Sequence, residues 1–305
     1  MFTFAGKLHI NNFSCIMANV IKIKKGLDIN LKGKASDVLL NGGKSESYAI
    51  VPDYYNGILP KVVAKVGEKV KAGSVLMIDK NRPEIKFVSP VSGEVTAVNR
   101  GEKRKVLSIV VKPDAQIEYE EFGKKNVASL QGAEVKEVLL NAGMWPFIKQ
   151  RPYDIVAAPL DTPRDIFVSA FYSAPLAPNF DFIVKGQEAD FQTGLNALAK
   201  LTNGKVYVGV RSGSVVSGMK GVEIVEVEGP HPAANVGVQI NHIKPVNKGE
   251  VVWTVNPADV IVIGRLFNKG VADFSRMVAI TGSETTERGY VKTISGCTIK
   301  SLVNG

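Results

Sequence analysis

From Ile58 to Val111 the chain is dense in valine and is broken at Gly67, Gly73, Pro83, Pro90, Gly93 and Gly101. Turn formers recurring every ~8–12 residues between β-branched runs leave room only for short strands and tight reversals, so this stretch reads as a compact all-β module. At Ala133 the period changes. Val135, Val138, Leu139 and Ala142 fall on one helical face, and Gly143 follows as a natural C-cap. Lys112 to Lys125 (KPDAQIEYEEFGKK) lies between the two patterns and reads as a polar linker.

Beyond the linker, strand-length and helix-length patterns alternate. Ile166–Ala170, Lys205–Val210, Gly221–Val227 and Val251–Val255 have strand character. Asp190–Leu201, Ala234–Ile243 and Pro257–Phe267 have helical spacing, the last with Pro at its first position. Such alternation predicts an α/β layer structure with a largely parallel sheet. Met277–Gly282 and Tyr290–Ser295 read as paired strands of a further module, and Val20–Ile23 and Tyr48–Val51 as short strands near the start. Residues 1–16 lack the basic start and the ~7–15-residue apolar run of a signal peptide and read as an extension. The predicted domains are 17–115, 116–270 and 271–305, after that extension.

Composition narrows the chemistry. The 305 residues contain no uninterrupted apolar run near the ~18–20 residues a membrane span requires; Val251–Phe267 is interrupted by Asn256, Pro257, Asp259 and Arg265. Two isolated cysteines, Cys15 and Cys297, make neither a disulfide framework nor an iron–sulfur site, and they fit a reducing, cytoplasmic setting. His9, His231 and His242 are scattered and have no metal-ligand spacing. A net charge of +9 admits an anionic surface or an acidic partner, but the lysines lack the aromatic-studded stripe of a nucleic-acid binder. The densest group is Lys22, Lys24, Lys25, Lys32 and Lys34, where Lys22 and Lys24 alternate with Ile21 and Ile23 as on the wet face of a strand.

Val63 to Val98 resembles a biotinyl/lipoyl-like β-sandwich through Val66-Gly67-Glu68-Lys69-Val70, Gly73 with Val75-Leu76, and Ser89-Pro90-Val91-Ser92-Gly93-Glu94-Val95. In swinging-arm members of that class a lysine at a hairpin tip carries the cofactor, and Asp79-Lys80 lies near that place. Asn81-Arg82-Pro83 follows instead of a small or apolar residue, so the resemblance implies an unmodified structural module.

A sandwich, then an α/β domain, then a small β-grasp-like (SLBB-like) module is the order found in the flavin-site subunits of respiratory complex I and of Rnf complexes. In them a loop of the kind Gly-Gly-Ala-Gly-Phe-Pro cradles FMN and NADH phosphates, because glycines admit close backbone approach. Here the corresponding Leu139–Tyr153 reads LLNAGMWPFIKQRPY. Ala142-Gly143 and Pro146 survive, while Met144, Trp145 and Phe147 are bulky where a phosphate would lie.

That departure is itself a family feature. Gly143-Met144-Trp145 through Arg151-Pro152 resembles the A subunits of the Na+-translocating NADH:quinone reductases. So do Met17–Leu27 (MANVIKIKKGL), Asp165–Pro178, Gly229-Pro230-His231-Pro232-Ala233 and Pro245–Phe267. The resemblance covers about residues 17–305 and implies a C-terminally truncated subunit, the full protein continuing into a helical domain. It implies a peripheral subunit without a redox centre, on the cytoplasmic side of the bacterial inner membrane. It also implies partner subunits that hold FAD, FMN, riboflavin and a 2Fe-2S centre, with NADH and ubiquinone as substrates of a sodium-transporting oxidoreductase. An Rnf-like FMN/NADH-binding subunit is the alternative.

No catalytic, cofactor-binding or metal-binding residue stands out. Trp145, Phe147 and His231 are candidate contacts for quinone or a partner subunit, since two aromatics beside Pro146 can form an apolar patch and a histidine can hydrogen-bond a quinone carbonyl. Core packing explains Trp145 and Phe147 equally well and explains Trp253 better. Ser212-Gly213-Ser214 beside Arg211 follows a strand and is a weaker candidate for phosphate or carboxylate.

Overall fold

The computed structural model describes residues 19–303, so the 1–16 extension with His9 and Cys15 lies outside the described residues. The chain begins with β1 (Asn19–Lys22) and β2 (Leu39–Leu40). Then follow β3 (Tyr48–Ile50), β4 (Pro60–Val62), β5 (Lys69–Val70), β6 (Val75–Asp79), β7 (Lys86–Val88), β8 (Gly93–Arg100) and β9 (Val106–Pro113). These last seven form two antiparallel sheets, ordered β3-β9-β8-β5 and β4-β6-β7. They close on Leu76, Met77, Ile85, Phe87, Val91, Val95, Ile109 and Val111, all buried. Register shifts between Val95 and Ala97 and between Asn99 and Arg100 bend the long β8–β9 ladder, as bulges do. The valine-dense stretch is therefore a barrel-sandwich, as its turn spacing predicts.

The second unit runs through α1 (Gly132–Asn141), β10 (Ile148–Arg151), β11 (Ile155–Val156), β12 (Ile166–Ser169), α2 (Phe180–Val184), α3 (Glu188–Ala199), β13 (Val206–Val210), β14 (Glu223–Glu228), α4 (Val236–Ile243), β15 (Val252–Val255) and α5 (Pro257–Lys269). Its seven-stranded sheet has the order β1-β14-β13-β12-β15-β10-β11. Strands β12, β13, β14 and β15 are parallel, built outward from β12 and then continued on its other side by β15. That reversal is the switch point of a Rossmann-like sheet, where such folds open a crevice at the carboxyl ends of the strands. Strand alternation distributes the core to both faces. Ile166 and Val168 join the main core, while Phe167 packs with Ile240 of α4 and Val252.

On the main-core face α3 and α5 cross at backbone contact distance. A Cβ on Gly264 would collide with the Asp190 carbonyl oxygen, and one on Gly194 with that of Val260. Only glycine fits there, and the contact buries nearly every side chain from Val260 to Phe267. Helix α5 is covered along Val260–Phe267, with Arg265 as the one charged residue in that buried run. Among the described residues no helix is long and apolar enough to cross a membrane.

The last elements are β16 (Ser275–Ile280), β17 (Gly289–Ile294) and α6 (Ile299–Leu302). The expected hairpin forms, and β2 adds to it parallel to β17. The alternating segment Val20–Ile23 also forms its strand, but β1 pairs with β14 at the edge of the α/β sheet. The two early strands thus fall within the residues expected for the sandwich and pair in the other two sheets. Strands β10 and β11 and the short helix α2 were not expected; β10 lies within the loop singled out for its bulky residues.

Candidate functional site

The loop from Leu139 to Tyr153 decides whether a phosphate cradle exists. Helix α1 opens with a capping box between Gln131 and Glu134 and closes on Gly143, whose φ of 67° is left-handed. The Met144 N–H donates to the Leu139 carbonyl at 2.9 Å and the Gly143 N–H to that of Leu140 at 3.3 Å. Those two bonds are a Schellman cap. The glycine shared with flavin-site loops is therefore a helix terminator. A Cβ there would meet Val88 at 2.5 Å, so strand β7 of the sandwich already occupies the space beside it. Met144 and Trp145 are fully buried. The Trp145 indole N–H donates to the Ala157 carbonyl at 2.8 Å, and its ring meets Trp253 edge to face at 5.4 Å. The residues present do not fit a phosphate group.

Phe147 points elsewhere. It is half-buried and stands edge to face with Phe274 at 6.1 Å. Two cavities, of about 320 and 290 Å³, lie against it, and Phe147, Lys149 and Asp259 line both. The first runs between the sandwich and β16 and includes Tyr55, Phe87, Phe274 and Arg276. The second opens at the switch point, against Ser169, Thr254 and the first turn of α5. Asn256 caps that helix by accepting from the Ala258 N–H at 3.0 Å, and the Tyr172 hydroxyl donates to it at 3.2 Å.

The charges between these cavities are unevenly matched. Arg276 pairs with Asp259 at 2.9 Å and Arg151 with Asp154 at 3.4 Å. Lys149 has no acidic partner, and among the described residues its buried Nζ and the buried Nε atoms of Arg151 and Arg276 lack hydrogen-bond acceptors. The Lys149 ammonium lies 5.2 Å from the centre of the Tyr55 ring. Burial pushes this ammonium below its usual range, against the pull of Asp154 and Asp259. Burial and the Asp259 charge push the Tyr55 hydroxyl up to about 12, and the same two causes push Tyr172 to about 12.

The other candidates are used in packing. His231 accepts or donates at Nδ1 with the Ser173 hydroxyl, 3.1 Å away. Its N–H donates to Asp28 at 2.7 Å and its carbonyl accepts from the Leu27 N–H at 2.9 Å, so the Gly-Pro-His-Pro loop clamps the segment after β1. It lines neither cavity of Phe147. The structure therefore separates Trp145, Phe147 and His231: a core residue, a cavity wall and a loop clamp. Arg211 donates to the carbonyls of Val227 and Gly229 and lies over the Phe171 ring, while the Ser214 hydroxyl donates to Asp181 at 2.6 Å. His242 is an exposed residue of α4, with Nδ1 2.8 Å from the Val238 carbonyl. Among the described residues no group of three potential metal ligands occurs.

Lys80 is exposed, but its neighbours are fixed. Buried Asp79 accepts from the Leu59 N–H and from Arg82 Nε at 2.8 Å, and Arg82 also donates to the Val156 and Gly57 carbonyls. The Asn81-Arg82-Pro83 segment thus docks this corner on the α/β unit through Arg82 and the Val156 carbonyl. Lys149, Asp259 and Arg276 were missed as a group. Lys149 alternates with Ile148 like any wet-face residue, and its neighbours are over a hundred positions away, so no local signal marks them.

A barrel-sandwich packed on a Rossmann-ordered α/β unit, with the Gly143 loop closed as a helix cap and no phosphate cradle there, defines the class. The chain belongs to the family of Na+-translocating NADH-quinone reductase A subunits: residues 21–114 match the NqrA N-terminal barrel-sandwich hybrid domain and residues 130–272 the NqrA second alpha/beta domain. It is 38% identical over 291 residues to the Na(+)-translocating NADH-quinone reductase A subunit of Hahella chejuensis. It is 36% identical over 290 residues to those of Neisseria meningitidis and Photorhabdus laumondii. Each alignment covers 94% of this chain and 65% of the relative, so the chain spans just under two thirds of the curated relatives it matches.

Proposed function

We propose that this chain serves as a non-redox, peripheral part of a Na+-translocating NADH:ubiquinone oxidoreductase on the cytoplasmic face of the inner membrane. Electrons pass through the other subunits, which supply FAD, FMN, riboflavin and the 2Fe-2S centre, and those subunits couple NADH oxidation to sodium export. The observation that carries this reading is the Leu139–Phe147 loop, where a sealed Schellman cap and Trp145 occupy the place of a phosphate cradle. It speaks against the Rnf-like alternative, which needs FMN and NADH bound at that loop. What remains for the chain is assembly and the shaping of a neighbouring quinone site, with Phe147 as the half-buried, cavity-lining member of its aromatic pair.

Co-purification from native membranes tests the assembly role. The other reductase subunits are expected with the tagged chain; their absence at full expression overturns the reading. Purified chain that is yellow, or that binds NADH stoichiometrically, moves the assignment to the Rnf-like alternative.

A further inference from the structure

Outside the cap, a half-buried cluster of charges does not close. Three cations, Lys149, Arg151 and Arg276, face two carboxylates, Asp154 and Asp259. Asp259 accepts a hydrogen bond from Arg276 at 2.9 Å, while half-exposed Asp154 faces Arg151 Nε at 3.4 Å without a hydrogen bond. Lys149 is the cation left over, its Nζ sealed from solvent and without an acceptor. A buried polar group without a partner is costly, and native proteins keep few of them. The Tyr55 ring face offsets only part of that cost.

The surroundings indicate what would complete the cluster. The cavities on either side, about 320 and 290 Å³, are at the small end of the ~300–1,000 Å³ range of ligand pockets. One is walled by aromatic rings, Tyr55, Phe87, Phe147 and Phe274, which suit a flat ring. The other lies at the first turn of α5, where the helix dipole favours negative charge, and at the switch point of the parallel sheet.

We propose that these cavities form a binding site for a small aromatic carboxylate, its ring against Phe147 and its carboxylate accepting from Lys149. The flexible four-carbon stem lets the ammonium leave the Tyr55 ring for the ligand. Tyr55 and Tyr172 keep their protons across the working range, and Tyr54, Asp154 and Asp259 also line the two cavities. The site goes beyond the proposed assembly role, and it shares only Phe147 with the quinone reading.

Calorimetric titration of the 305-residue chain with benzoate, benzamide and a short-chain ubiquinone tests the assignment. Benzoate is expected to bind, with benzamide at least about tenfold weaker, because a charge-assisted bond is lost at constant shape. Lys149→Met is expected to remove that preference while melting no lower than the parent. Lys149→Arg is expected to keep it. Raising the pH from about neutral to about 10 weakens benzoate binding in the parent as Lys149 loses its proton, and leaves Lys149→Arg unaffected. Equal binding of benzoate and benzamide, binding untouched in Lys149→Met, or no binding of either probe overturns the proposal. Ubiquinone bound more tightly than benzoate also overturns it, since a neutral ring carbonyl then serves better than a carboxylate. None of these outcomes depends on whether the chain co-purifies with its reductase partners.

Discussion

Arg265 and Lys149 are both basic side chains held inside the molecule, and they are satisfied to opposite degrees. The Arg265 guanidinium donates to the carbonyls of Asp273 and Ser275, to the Ser275 hydroxyl and to Gln187, and it pairs with Asp273 at 3.2 Å and Asp190 at 3.7 Å. Its acceptors come from both sides of α5 and from the start of β16, so it fastens the last hairpin to the α/β unit. Lys149 has a ring face and distant carboxylates. A planar guanidinium presents five donors in a fixed fork and suits a permanent joint, whereas an ammonium on a flexible stem suits a partner that comes and goes. The contrast separates a charge kept for structure from one kept open.

The largest expected effect is at the closed cluster. Arg265→Met removes the buried cation shared by half-buried Asp273, which keeps Lys269, and half-buried Asp190, and breaking a buried pair from one side costs about 3–5 kcal/mol. Urea unfolding checks this; a loss below about 1 kcal/mol would make Arg265 no better satisfied than Lys149 and would dissolve the comparison. Asp259→Asn comes next. It strips Arg276 of its carboxylate and Lys149 of a neighbouring negative charge, leaving charged groups under-partnered at a cost of about 1–3 kcal/mol. The same urea series checks it, and an unchanged midpoint would show that Arg276 finds water instead.

Acid sharpens the contrast further. Burial alone would raise the Asp273 carboxyl, but hydrogen bonds from Ser275, the Arg265 charge and Lys269 bring it from 3.8 down to about 2. Its folded-state value is the lower one, so its stabilisation is complete above the unfolded pKa and is lost as the pH falls from about 4 through 2. Asp165 shifts in the same direction, its burial outweighed by hydrogen bonds from Lys244, the Lys205 N–H and Arg164. Thermal melts between about pH 5 and 2 are expected to show a shallower acid loss in Arg265→Met than in the parent. Parallel curves would mean that the arginine charge contributes little to holding Asp273 ionised.

Much of the fold was legible because its elements satisfy themselves locally. The turn spacing of Ile58–Val111 gave the sandwich, and the helical spacing after Ala133 gave α1, α3 and α5 within a few residues. Strand partners were less legible. Alternation at Val20–Ile23 says that one face is wet, and says nothing about which sheet receives the strand. At the loop, the sequence revealed that bulky residues replace a phosphate, but Trp145 and Phe147 looked alike although one is sealed and the other lines two cavities. Only tertiary structure distinguishes two aromatics flanking one proline. The Lys149 cluster was illegible for the same reason, since its members meet from β10, α5 and β16.

The smallest effect on stability, and the most telling, is expected from Lys149→Met. Methionine matches the lysine stem in length and carries no charge to desolvate, and Asp259 and Asp154 keep their own arginine partners. Replacing an unpartnered buried charge by an apolar group of similar shape is close to neutral or stabilising. The midpoint should therefore stay within about 0.5 kcal/mol of the parent or rise. Urea unfolding of Lys149→Met beside Arg265→Met makes the comparison directly. If the methionine variant falls by several kcal/mol, Lys149 is a structural cation like Arg265, and the open cluster between the two cavities is closed by contacts stronger than its geometry indicates. If it rises, the chain keeps at this position a charge that its own fold would be better without, which is the signature of a group retained for a ligand.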